Sequence, residues 1–456
     1  MRKMSGPAGT ALVLLVLATM LSCHKAHEFD SAPSAPSMPA GPSSGACDSL
    51  YRFTTSANDP DFDSVAFRFD WGDGDTSGWT GFVASGESAG AEHAWYYARA
   101  CSVKAQARDV HGALSDWSEP GALELRSGPR FADTVVARIP VEGGPTGIAA
   151  LPSGEYLYVT CYDDDAVRVI RTSDNSVVQT IPVGQGPWGV AASPDGQYVY
   201  VANNAGWDGS MSVIRTSDNV VVDTVEVGGE PTELAVSPDG RYVYVSGAGY
   251  GQVSVVRTSD DSLVALVDVG DSPYGIAVMP DGKHVAVALY EEDVLCLFDT
   301  DSFTVTDRVV VGYGPQGVAV AELNQRVYVS VEEDYNSERS GVCSVTLPDF
   351  ELSDSVIGFG GEDYPSTIAL SPEENFLYVL FWEAEAPWMA VIGTRKQQVI
   401  GYVSDFGLGS LGGEGLVCLP NGLVYVANEY EDCVSVFGFS SGTSRNSCFR
   451  PYRGER

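Results

Sequence analysis

The sequence predicts an all-β protein, a seven-bladed β-propeller preceded by a small β-sandwich. Three observations carry that expectation. One unit of 40-odd residues recurs seven times over residues 131–438, each unit holds short apolar stretches of strand length, and an unmatched stretch ahead of the first unit matches the strand that the last unit lacks.

The second strand of each unit sets the period. Its centre falls at Tyr158, Tyr200, Tyr244, Ala286, Tyr328, Tyr378 and Tyr425, each flanked by apolar residues, with steps of 42 to 50 residues. Before it stands an inner strand such as Gly189-Val190-Ala191-Ala192, followed by a turn such as Ser193-Pro194-Asp195-Gly196 or Ser237-Pro238-Asp239-Gly240. Pro and Gly supply the fixed and the positive φ that such turns need. A third strand, a polar corner such as Arg215-Thr216-Ser217-Asp218-Asn219 and a fourth strand complete the unit. The last unit has only three strands, and residues 135–141 match the fourth strand at 177–183, so the first strand is expected to close the last blade and leave no open sheet edge.

The core Tyr198-Val199-Tyr200-Val201-Ala202-Asn203, the Ser-Pro-Asp-Gly turns and the link from Gly184 to Gly189 resemble the YVTN-repeat propeller family. The likeness weakens in the fifth and sixth units, where Leu323-Asn324 and Glu373-Glu374 replace the turn. Membership implies a surface or periplasmic location and no single activity.

Ahead of the repeats, Arg2 and Lys3 precede an apolar run of about a dozen residues, too short to span a bilayer and typical of a secretory signal over residues 1–22. Met20-Leu21-Ser22-Cys23 resembles the bacterial lipobox, which implies lipidation of Cys23 and a lipid-anchored place in the cell envelope. Residues 23–44, rich in Ser, Pro, Ala and Gly, are expected to form an unstructured tether.

Residues 45–128 alternate apolar and polar positions at 51–55, 64–71, 93–97 and 102–109, the period of half-buried strands. Phe67-Arg68-Phe69-Asp70-Trp71-Gly72-Asp73-Gly74-Asp75, with His93-Ala94-Trp95, resembles the PKD branch of immunoglobulin-like β-sandwiches, a family of mostly structural modules. That likeness implies a disulfide between Cys47 and Cys101, since such folds bring two strands face to face; two buried thiols are the alternative. Asp59, Asp61 and Asp63 alternate in a turn where oxygen ligands can converge on calcium, or where each carboxylate can bond its own backbone.

With 61 acidic against 26 basic residues the net charge is −35, which excludes electrostatic binding to nucleic acid and restricts membrane contact to the lipid anchor. The acids concentrate in loops between second and third strands: Asp163, Asp164, Asp165; Glu291, Glu292, Asp293; Glu332, Glu333, Asp334; and Glu429, Glu431, Asp432. With Trp188 in a link, they define an expected binding face for an envelope or extracellular protein, peptide or glycan, cationic partners being favoured. Of five His, only His284 lies in the repeats, so no cofactor is expected beyond calcium. No nucleophile elbow, phosphate loop or zinc-protease motif occurs, and the reading is a non-catalytic binding protein; the alternative is a calcium-dependent hydrolase or lactonase-like propeller using channel carboxylates. A basic tail occupies residues 439–456.

Overall fold

The computed structural model describes residues 30–439 apart from 48, 99, 128–129, 205, 333–339, 354–356, 360–363, 383–387 and 405–414. The expected leader, Cys23, Glu333, Asp334 and all of the tail but Phe439 lie outside the described residues. Among those described there is no α-helix, and no helix is long and apolar enough to cross a membrane. The chain divides into two compact units, Met1–Pro129 and Arg130–Arg456.

In the first unit, strands β1 (Ser44–Ala46), β3 (Val65–Asp70), β5 (Ala100–Asp109) and β6 (Gly121–Ser127) form one sheet in the order β1-β6-β5-β3, and β2 (Leu50–Ser56) pairs with β4 (Ser88–Ala94) in another. Alternate residues of both sheets, among them Phe53, Val65, Phe67, Phe69, Val103, Ala105 and Leu123, bury their side chains in one core with Trp71 and Trp95. The expected strand at 93–97 lies earlier, because β4 is registered on β2 from Leu50↔Ala94 to Ser56↔Ser88.

The sheet edges are covered by runs with a period of three. Ser34, Ser37 and Ala40 donate their N–H groups to the carbonyls of Asn58, Ser56 and Thr54, and the Ser34 and Ser37 hydroxyls accept the N–H of Asn58 and Ser56. Ser77 and Thr80 bond Phe69 and Phe67 in the same two ways, and Ser115 and Ser118 bond Ala107 and Ala105. A three-residue repeat is that of polyproline II, which brings every third residue to the same side. Pro33, Pro36 and Pro39 are accordingly buried. From Asp30 onward the expected tether is therefore docked chain: Ser-x-x-Ser spacing lets an extended segment satisfy an exposed strand edge.

The expected Cys47–Cys101 bridge is not formed, and both residues are thiols. β6 lies between β1 and β5, with Ser44 and Ala100 both opposite Glu124. Two strand spacings are roughly 9.6 Å, outside the roughly 4.4–6.8 Å between Cα atoms that a disulfide spans. Both side chains instead pack on the sandwich core.

In the second unit each repeat is an antiparallel sheet. The first runs β8 (Pro145–Ala150), β9 (Tyr156–Cys161), β10 (Ala166–Arg171) and β11 (Ser176–Pro182), and the same order recurs to the last sheet, Leu416–Cys418, Val424–Asn428 and Cys433–Gly438. That last sheet is completed by β7 (Thr134–Pro140), paired from Cys433↔Pro140 to Gly438↔Thr134, as the sequence predicted. Inner strands touch the inner strand of the next sheet, and the last touches β8, closing a ring.

The core lies between neighbouring sheets. Val167 and Val169 of β10 pack with Val199 and Val201 of the next sheet, all at most 1% exposed. Each fully buried aliphatic side chain contributes about 1.5–3 kcal/mol relative to exposure. Second strands are covered on both faces, which explains their unbroken apolar composition, whereas outer strands such as β11 alternate little and are exposed. Repeat tyrosines then tie one sheet to the next: the Tyr158 hydroxyl donates to Asn219 Oδ1 at 2.6 Å, and Tyr425 to Asn175 Oδ1 at 3.1 Å across the closure. Where units five and six lack the Pro-Asp-Gly turn, Gln325 and Glu374 take the positive φ, and the Glu374 carboxylate accepts the N–H groups of Glu322 and Leu323.

Candidate functional site

The first four inner strands begin Pro-x-Gly or, once, Pro-x-Glu, and residues at these positions line the central channel. A Cβ on Gly147 would be driven into the Trp188 carbonyl, and one on Gly189 into the Thr232 carbonyl, so neighbouring inner strands approach too closely for a larger residue. The pairing to the second strand is interrupted at the same point, between Pro145 and Ile148 in the first sheet. The Thr160 hydroxyl fills the gap, accepting the Gly147 N–H at 2.7 Å and donating to the Trp188 carbonyl; the Ser246 and Ser330 hydroxyls likewise accept the N–H groups of Glu233 and Gly317.

Glu233 stands where Gly147, Gly189, Gly275 and Gly317 stand in other sheets. Its carboxylate leans toward Gly189, and burial pushes its carboxyl up to about 7, with only the Leu234 amide acting in the other direction. Trp188, Glu233 and Tyr274, from three consecutive inner strands, and Gln316, just ahead of the next, together line a cavity of about 210 Å³. Tyr162 meets Trp188 edge-on with ring centroids 5.7 Å apart, and Tyr290 lies 5.6 Å from Tyr274. Glu332 Oε1 accepts from the Tyr290 hydroxyl at 2.9 Å and from Gln316 Nε2 at 3.1 Å. The mouth thus has an aromatic rim, with the Glu233 carboxylate in the lining and Glu332 held by Tyr290 and Gln316.

Several of the acids expected on this face hold the fold instead. Asp165, Asp293 and Asp432 each adopt positive φ, and their Oδ1 atoms accept the N–H of Gly186, Gly314 and Gly144 in the links to the next sheet. Asp164 pairs with Arg168, and Glu292 pairs with Arg308 while accepting the Asp271 N–H. Asp163 and Glu291 are exposed, and Glu429 is raised above the ordinary carboxylate value by burial and then by Asp163. At the opposite end, Arg171, Arg215 and Arg257 pair with Asp174, Asp218 and Asp260 at 2.7–2.8 Å. Among the described residues of the expected face, Trp188 alone lines the channel. Glu233 was missed, although its signal is plain: Pro231-Thr232-Glu233 breaks the Pro-x-Gly pattern of Pro187-Trp188-Gly189 and Pro273-Tyr274-Gly275.

The expected calcium ligands do not converge. Asp59 Oδ1 accepts the N–H groups of Asp61 and Asp63, so the turn bonds its own backbone, and Asp61 Oδ2 accepts the Ser31 N–H. Asp63 faces Asp30 and His111 instead.

Two solved structures share the fold of this chain. Kuenenia stuttgartiensis hydrazine synthase is 18% identical with a TM-score of 0.58, covering 65% of this chain and 96% of that one. The β-propeller domain of Cps50 (Swd1) from Myceliophteria thermophila is 10% identical with a TM-score of 0.58, covering 68% of this chain and all of that one. The fold is a β-propeller. No curated protein matches the propeller chain. A family model, the cytochrome D1 heme domain, matches residues 153–307. That match overturns the expectation of no cofactor beyond calcium, which rested on the scarcity of His: the group to be considered for this propeller is haem.

Proposed function

We propose that the protein is an exported, lipid-anchored envelope protein in which a seven-bladed YVTN-type propeller, carried behind a PKD-like immunoglobulin-type sandwich, binds a cationic group of an envelope or extracellular protein or peptide at its channel mouth. The observation that carries this reading is Glu233, a carboxylate in a ring position otherwise given to small residues, with Trp188 and Tyr274 on the adjacent inner strands. Aromatic faces attract cations, and a half-buried carboxylate strengthens that attraction where water is scarce. The residual acids Asp163, Glu291 and Glu429 favour the approach of positive charge.

The test is calorimetric titration with a lysine-containing peptide and its acetylated counterpart. Affinity for the amine form at pH 8 should exceed that for the acetylated form at least tenfold, fall as Glu233 protonates below about pH 7, and be lost in Glu233→Gln. Equal affinity for both peptides sinks the proposal.

The haem-domain match favours a second reading, since residues 153–307 include Glu233 and Tyr274. Haem iron takes a His, Cys, Met or Tyr ligand. Among the described residues that line the channel only Tyr274 is of that kind, and His284 lies half-buried beside Asp281, 3.9 Å away, outside the lining. A cavity of about 210 Å³ is below the roughly 300–1,000 Å³ of ordinary small-molecule sites. Among the described residues the channel lining therefore does not fit a haem, and no chemical step is assigned to one. Haemin titration checks this reading: a shifted Soret band abolished by Tyr274→Phe supports it, and no shift in the wild type removes it.

A further inference from the structure

We propose that the N-terminal unit carries a divalent-cation site, suited to calcium, formed by Asp30, Asp63 and Asp109 with His111 at its rim. It is independent of the channel. One donor atom from each of Asp30, Asp63 and His111 lies within 4.8 Å of the others, and His111 Nε2 is 3.5 Å from Asp63 Oδ2.

Asp109 supplies the second, separate observation. It is 1% exposed, and its Oδ1 accepts the N–H groups of His111, Gly112 and Ala113 at 2.8, 2.7 and 2.9 Å. Its Oδ2 is buried with no hydrogen-bond partner. The neighbouring Asp59, 3% exposed, repeats the arrangement: Oδ1 holds the Asp61 and Asp63 amides and Oδ2 has no partner. A buried carboxylate oxygen left without a partner costs stability, and native folds satisfy such atoms with a hydrogen bond, a water or an ion.

The chain brings these acids together deliberately in register. Val65 pairs with Asp109 across β3 and β5, which puts the end of the Asp59–Asp63 turn beside the β5 terminus. The docked period-three run starts where the Ser31 N–H meets Asp61 Oδ2, which places Asp30 at the same end of the sandwich. Three carboxylates, Asp30, Asp63 and Asp109, with His111 beside them form a set that a divalent cation neutralises. Carboxylate oxygens dominate the donors, which favours a hard ion such as calcium, whereas zinc would draw on the His111 imidazole.

Calcium titration of the full chain by calorimetry and thermal melting tests the site. Saturable binding is expected, weakened at least tenfold by Asp30→Asn and by Asp63→Asn, unchanged by Glu233→Gln and by His111→Gln. Asp109→Asn keeps the Oδ1 acceptor for the turn and should also weaken calcium; should that variant fail to fold, the exposed Asp30 decides. No binding up to about 10 mM, beyond the range of extracellular calcium modules, overturns the proposal. So does calcium binding that the Asp variants leave intact. Zinc binding without calcium binding, lost in His111→Gln, overturns the assignment to calcium.

Discussion

The two units are both built from short strands, but they satisfy strand edges by different means. In the propeller every sheet finds its partner in the next copy, so one solution recurs: close inner strands at Gly147 and Gly189, buried second strands, and tyrosine hydroxyls reaching the following corner. The ring closes on itself through β7 and has no first or last edge. The sandwich has no copy to lean on. Its edges are met locally by the runs Ser34-x-x-Ser37, Ser77-x-x-Thr80 and Ser115-x-x-Ser118. Stability in the propeller is therefore distributed through packing between sheets, and in the sandwich it also rests on individual side-chain hydrogen bonds.

That contrast can be broken by substitution. Gly147→Val forces a side chain into the next inner strand and should cost about 3 kcal/mol or more of propeller stability, read as a lowered melting transition for that unit with the sandwich transition unchanged. A single joint shift of both transitions would show that the units are not energetically separate.

Glu233→Gln sharpens the comparison because its effect depends on pH. The folded-state carboxyl titrates at about 7, above its ordinary value near 4.5, so the native state binds the proton more tightly and stability falls as pH rises between those values. The variant should match the wild type near pH 4 and exceed it by on the order of 2 kcal/mol at pH 8, measured by denaturant unfolding. Equal stability at pH 8 would place Glu233 in a fully solvated setting.

Ser115→Ala removes an acceptor from the buried Ala107 N–H while leaving the packing intact, and about 1–2 kcal/mol should be lost from the sandwich alone. Urea unfolding followed at a sandwich tryptophan checks it. Least of all, Asp218→Asn breaks the exposed pair with Arg215 and should leave the melting temperature unchanged within error, because solvent screens the pair. A larger loss would show that the polar corners organise the sheets.

The strands, turns and closing segment of the propeller were legible because a repeat states the same tertiary environment several times over, so tyrosine spacing at Tyr158, Tyr200 and Tyr244 and the Ser-Pro-Asp-Gly turns need no neighbour to be interpreted. Of the edge runs, the one at Ser34–Ala40 is expected as tether because Ser, Pro and Ala have low burial tendency singly; only the period of three, with Pro33, Pro36 and Pro39 buried, shows the docking. Acids in loops looked alike in sequence, yet Asp165, Asp293 and Asp432 cap links while Asp163 and Glu291 face solvent.

The sequence by itself determined which segments of the propeller become strands and that its last sheet is closed by the strand ahead of the first repeat, since period and turn chemistry are local properties. The tertiary structure decided which polar groups are consumed in holding the chain and which remain for a ligand. That division depends on distance and burial: Glu233 acquires its character from the inner strands on either side, and Asp109 from the turn that fixes one of its oxygens and leaves the other buried.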